Sequence, residues 1–181
     1  MRQRAAAGAL TVALALTAAL PSLWLGSVWL AGDVHAASEM EFSELTIGDL
    51  EQSEAQRERV RELARRHVGP PPNRTLSDLR LLQRLVDLQV VDRDDTFDSQ
   101  AMGLVLGDVM AAQLPLRWVV VVDQYGRSRA LRYKQTENVF FPVTMISKRL
   151  ERDAPIDVQQ LYDRVRAEVE ALEQGPRRTL R

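Results

Sequence analysis

The sequence predicts an α+β domain with a helical N-terminal half, a three-stranded antiparallel β-meander and C-terminal helices packed on the sheet. Three observations lead to it. Between residues 53 and 113 apolar side chains recur at helical spacing. From Arg117 to Val143 the composition turns to β-branched and aromatic residues, broken by two turn sequences. After Asp157 the helical spacing returns, with Val158, Leu161, Tyr162, Val165, Val169 and Leu172 on one face.

The chain begins with Arg2 and Arg4, followed by an apolar run from Ala5 to Ala31 and by Val34-His35-Ala36-Ala37. A positive start, an apolar core and small residues before a peptide bond are what export and signal peptidase require. Residues 1–36 are therefore expected to be a signal peptide cut at the Ala36–Ala37 bond, which places the remainder in the periplasm or outside the cell. The run exceeds the usual core of roughly 7 to 15 residues and reaches the length, about 20, that spans a bilayer. An uncleaved helix anchored in the inner membrane is the alternative.

No cysteine occurs, which excludes disulfides, thiolate chemistry and lipid attachment at a signal cysteine. Residues 37–52 are expected to form a linker, 53–174 a single domain and 175–181 a disordered tail. With 24 basic against 25 acidic side chains there is no field to hold a phosphate backbone. Nucleic acid is excluded as a partner on that ground, and membrane contact is expected only through the N-terminal segment if it is uncleaved.

Ser53 to Val68 reads as a helix with Val60, Leu63 and Ala64 inward and a lattice of Glu and Arg outward; Ser53 and Gln56 are spaced as a capping box. Gly69-Pro70-Pro71-Pro72 stops it. A second helix is expected from Thr75, where Thr75 and Asp78 form a cap pattern, through Leu79, Leu82, Leu85 and Val86. Thr96 is read as the cap of a third, apolar on most faces and hence central. Gly103 and Gly107, four residues apart, bare one strip of that helix to a close neighbour.

Strands are expected at Arg117–Val122, Arg127–Lys134 and Val139–Val143, joined by Asp123-Gln124-Tyr125-Gly126 and Thr136-Glu137-Asn138. The run of valines predicts a strand covered on both faces. Pro142 makes the third strand an edge or its end. Thr144 is read as capping a short helix to Leu150, and Asp157 as capping the last one.

Gly107-Asp108, Trp118, Asp123 with Tyr125-Gly126-Arg127, Ala130-Leu131-Arg132-Tyr133, and Phe141-Pro142 through Ser147-Lys148-Arg149 resemble a family of bacterial proteins catalogued as domain of unknown function 3806. The resemblance runs from about residue 96 to 161. It implies one structural unit and assigns no activity, cofactor or catalytic residue.

Chemistry-bearing residues are few. With residues 1–36 removed, His67 is the one histidine left; it sits where a helix ends, as a C-terminal cap. No metal site and no cofactor are expected. Asp108, between apolar neighbours, needs a cationic partner if buried. By the two-residue period Arg127 and Arg129 share one strand face and Arg132 and Lys134 the other; Arg132 is chosen as the partner of Asp108 on the helix-covered side. Asp123 is read as closing a hairpin, Trp118 as core, and Lys148 as surface. The candidate binding or ion-pair residues are therefore Asp108, Trp118, Asp123, Tyr125, Arg127 and Arg132.

The function expected from this set is a non-catalytic binding or interaction module for an envelope protein or a small ligand, with Arg132 and Tyr125 carrying the contact. The alternative is a carboxylate-based hydrolase acting on an envelope glycan. It would need Asp108 and Asp123 to flank one cleft at roughly 5 to 9.5 Å.

Overall fold

A computed structural model describes residues 40–175. The expected signal segment, its cleavage bond and residues 176–181 of the expected tail lie outside the described residues. The described chain is α+β, with five helices and a four-stranded antiparallel sheet: β1 (Glu41–Ser43), α1 (Ile47–His67), α2 (Ser77–Asp87), α3 (Thr96–Gln113), β2 (Leu116–Asp123), β3 (Gly126–Tyr133), β4 (Val139–Phe140), α4 (Val143–Glu151) and α5 (Val158–Gln174). Strand order in the sheet is β1-β2-β3-β4.

Two expectations are corrected at the N-terminal end. The segment taken as a linker, 37–52, contains β1, which adds a fourth strand by pairing Phe42 with Val121. It also holds the first turns of α1, capped by Thr46: the Thr46 side chain accepts from the Asp49 N–H, and the Asp49 carboxylate accepts from the Thr46 N–H. Ser53 and Gln56 are consequently not a capping box but interior positions of α1, both buried. The buried face of α1 reads Asp49, Ser53, Gln56, Val60, Leu63, Ala64. This is a regular helical stripe whose N-terminal half is polar, so apolar spacing alone starts the helix too late.

Elsewhere the local signals are near the observed ends. Asp157 caps α5 by accepting from the Gln160 N–H. Asp95, one residue before Thr96, caps α3. The Asp78 carboxylate reaches back to the N–H groups of Asn73, Arg74 and Thr75, ordering the approach to α2. β4, an edge strand, stops at Phe140, short of the expected Val143, and Pro142 rather than Thr144 stands at the N-cap of α4.

The core forms where α3 packs between α1 and α4 and the helices cover one face of the sheet. That face carries Leu116, Trp118, Leu131, Tyr133 and Phe140, joined by Leu82, Leu85, Leu106, Met110 and Ile146 from the helices. A smaller cluster, Val119, Val121 and Ala130, occupies the opposite face under Met40, Phe42, Val139 and Phe141. The valine run is buried on both sides, as its composition predicts. Gly103 and Gly107 let α3 approach the β4–α4 junction: a Cβ on Gly103 would stand 2.6 Å from the Pro142 carbonyl oxygen, and one on Gly107 would stand 2.5 Å from the Trp118 ring.

Candidate functional site

Asp108 is buried, 5% exposed, and it is answered by an arginine, though not by the one expected. Arg57 of α1 donates Nε to Asp108 Oδ2 at 2.6 Å and Nη2 to Oδ1 at 3.0 Å, a bidentate pair, and Trp118 Nε1 donates to Oδ1 at 3.1 Å. Asp108 thereby holds the Arg57 pKa above its ordinary value. Three donors satisfy the carboxylate and leave it facing no open cleft. Trp118, read as core, is partly buried and packs against the core.

Arg132 lies on the other face of the sheet. Its guanidinium covers the Phe42 ring at 3.7 Å and donates to the carbonyls of Thr136 and Gln135. The two-residue period separated the faces correctly, but buried Ala130 drew the helix-covered side to the wrong one. Ala130 is buried by β1 and Phe141, whereas Leu131 and Tyr133 point to the helices together with Arg129 and Arg127.

The arginines that meet α1 are therefore Arg127 and Arg129. Arg127 donates Nη1 to Asp49 Oδ1 at 2.7 Å and Nη2 to Oδ2 at 2.5 Å. Arg129 donates to Ser53 Oγ at 2.6 Å and to Gln56 Oε1 at 2.9 Å, and among the described residues it has no carboxylate partner. Burial lowers its pKa; Asp49 opposes this, and the like charges of Arg57 and Arg127 add to it. Beside it the Gln56 Nε2, on a side chain that is 0% exposed, has no acceptor among the described residues. Behind this layer Arg59 clamps Asp98 of α3 at 2.6 to 2.9 Å, a second tie between α1 and α3.

Arg127, Arg129, Asp49, Asp123, Tyr125 and Lys148 line a cleft of about 440 Å³ at the end of the β2–β3 hairpin. Asp123 accepts from the Tyr125 N–H, the turn-closing role expected of it, and this leaves Tyr125 88% exposed at the hairpin tip. Asp123, Tyr125 and Arg127 are thus brought together. Asp108 is buried beneath with the partly buried Trp118 against it, and Arg132 is on the far side of the sheet.

Sequence reasoning missed Asp49, Arg57 and Arg129 as site residues, while Lys148, read as surface, is exposed and also lines the cleft. The polar stripe Asp49-Ser53-Gln56, at spacings of four and three, was the available signal for the first and third. His67 lies exposed in the last turn of α1, where its sequence position placed it.

Asp49 gives the site a pH signature. The hydrogen bond from Arg127, with help from Thr46 and against the penalty of burial, holds its carboxyl well below the usual range. A depressed folded pKa contributes stability above the unfolded value, about 3.9, and loses it as pH falls through the folded value. Arg127→Met is expected to remove that dependence. Urea midpoints taken down the acid range should fall less steeply below about pH 4 in the variant than in the parent. Parallel curves would show that Asp49 is not held by Arg127.

The fold and this cleft define a small α+β domain with a polar, arginine-lined depression beside a hairpin. Residues 78–162 match the family described as Domain of unknown function (DUF3806). The match begins earlier than the resemblance in sequence suggested and takes in α2. No curated protein matches the chain. A crystal structure of a protein from Bacteroides thetaiotaomicron VPI-5482, at 1.50 Å resolution, is similar with a TM-score of 0.66 and 12% identity, over 74% of this chain and 50% of that one. The chain spans about half the length of that protein, and the likeness is one of fold.

Proposed function

We propose that the domain is a non-catalytic binding module, exported to the periplasm or beyond, and that an anionic small ligand enters the hairpin-end cleft and pairs with Arg129. One observation carries the reading. Around Arg129 the other two guanidiniums are already matched, Arg127 bidentately by Asp49 and Arg57 bidentately by Asp108 with Glu54 at 3.5 Å beside it, while Arg129 has no carboxylate partner among the described residues. A half-buried cation without a counter-ion is costly unless a negative group completes it. The unused N–H donors of Gln56 and the five-donor fork of Arg129 leave the locality rich in donors and short of acceptors.

Export is supported by the Arg2, Arg4 and Ala5–Ala31 pattern. Among the described residues no helix is long and apolar enough to cross a membrane. The hydrolase alternative loses its support, because Asp108 is enclosed and shares no cleft with Asp123.

Titration calorimetry of the full chain with phosphate, succinate and acetate tests the reading. At least one anion should bind the parent and be lost in Arg129→Gln. Tyr125→Ala should weaken binding without changing the circular dichroism of the fold. Absence of binding by all three anions, or unchanged binding in Arg129→Gln, would overturn it.

A further inference from the structure

A second cleft, about 580 Å³, lies between α4, β4 and α5 and has a different character. Its floor is apolar, with Phe140, Met145, Leu161 and Val165, and its rim carries Lys148, Arg149, Arg152 and Arg164 against one acid, Glu168. None of these four cations forms an ion pair with a described residue, whereas every arginine of α1, namely Arg57, Arg59, Arg61, Arg65 and Arg66, does. Arg149 instead donates to the Met145 carbonyl and Arg164 to Gln160. In a chain whose charges nearly cancel, this is a concentration of unneutralised positive charge around an apolar floor.

The cleft also has a free strand edge as its wall. β4 is the edge of the sheet. Tyr133 donates its N–H to the Asn138 carbonyl, and Val139 stands opposite Arg132 in the register. By the alternation of an antiparallel ladder, the N–H and C=O of Val139, a residue that lines the groove, then point away from β3 along the free edge. Past Val139, Phe140 and Glu168 the groove continues into a depression of about 520 Å³ beside Ala171 and Leu172.

We propose, beyond the small-ligand cleft, that this groove docks an acidic, extended peptide segment of a partner protein. The segment adds to β4 through Val139, buries alternate apolar side chains on the floor, and sets its carboxylates against Lys148, Arg149, Arg152 and Arg164. The charge argues for this occupant over the chain's own residues 176–181, which carry Arg177, Arg178 and Arg181 and no acidic side chain. The recessed floor and the strand edge favour a peptide over a lipid surface.

The test is fluorescence anisotropy of the full chain with a labelled peptide alternating glutamate and valine. Binding is expected to weaken with salt, and to weaken about tenfold or more when Arg152 and Arg164, both exposed and free of structural ties to carboxylates, are changed together to Glu. The same peptide with N-methylated valines should bind poorly, a lysine–valine peptide should not bind, and Arg129→Gln should leave binding unchanged. Equal binding of the lysine peptide, indifference to the double reversal or to N-methylation, loss in Arg129→Gln, or binding only to phosphatidylglycerol vesicles would each overturn the proposal.

Discussion

Arg57→Ala is expected to cost about 3–5 kcal/mol of folding stability, a far larger loss than truncation of the solvent-open arginines of α1. Truncation leaves the Asp108 carboxylate in place on α3, 5% exposed, with the Trp118 indole as its remaining donor. A buried charge stripped of its counter-charge keeps its desolvation penalty and loses most of what offset it. The neighbouring Arg61 and Arg65, whose pairs with Glu54 and Glu58 are open to solvent, should each cost under about 1 kcal/mol when changed in the same way. Urea unfolding of the three variants separates the two classes. Combining Arg57→Met with Asp108→Leu should recover much of the loss, since an apolar pair of similar volume removes both charges together. If Arg57→Ala proves no worse than Arg61→Ala, the α1–α3 pair is not buried in solution and the ion-pair layer beneath the hairpin cleft must be redrawn.

Gly103→Ala should lower stability by about 2 kcal/mol or more, even though alanine favours a helix over glycine by about 1 kcal/mol. The added methyl would meet the backbone carbonyl oxygens of Val143 and Pro142, and neither can swing aside as a flexible side chain would. Relief requires the start of α4 to move as a body, and with it the wall shared by both clefts. Gly48, in the first turn of α1, supplies the contrast: its nearest prospective neighbour is Thr46 Oγ1 at 3.9 Å, so Gly48→Ala should be neutral or slightly stabilising. Thermal melts should drop clearly for Gly103→Ala and not for Gly48→Ala, and no drop for Gly103→Ala would mean that α3 and α4 do not pack this closely.

Helix-to-strand order, the hairpin turn, the caps of α3 and α5 to within a residue, and the close approach at Gly103 and Gly107 were legible because each depends on residues near one another in sequence. Asp108 was legible as a problem, since a carboxylate amid Leu106 and Val109 demands an answer. Its partner was not, because the answer depends on how α1 is rotated, and that rotation is set by the polar stripe Asp49-Ser53-Gln56, which mimics solvent exposure. Likewise the alternation of β3 gave two faces and no label for either. Which face meets helices was decided by β1, and three residues, Glu41 to Ser43, give too short a pattern to announce a strand. The cleft residues were found in part because Asp123, Tyr125 and Arg127 sit on one hairpin. Arg129 was noted only as a face-mate of Arg127, since nothing local marks a cation that lacks a carboxylate.

The polar half of α1 has a kinetic corollary. Asp49 and Arg127 are 78 residues apart in the chain, and Ser53 and Arg129 are 76 apart. During synthesis α1 emerges well before the strand that satisfies it, and until β3 is formed the polar N-terminal half of its inner face offers little reward for burial. Closing so long a loop draws on chain entropy before any contact returns it. The N-terminal half of α1, the earliest of the described helices in the chain, should therefore be among the last parts to become fixed. Refolding should run at the slow, non-local end of the range for small domains, milliseconds to seconds on the order of magnitude, with the hairpin and α3–α4 already assembled when α1 docks.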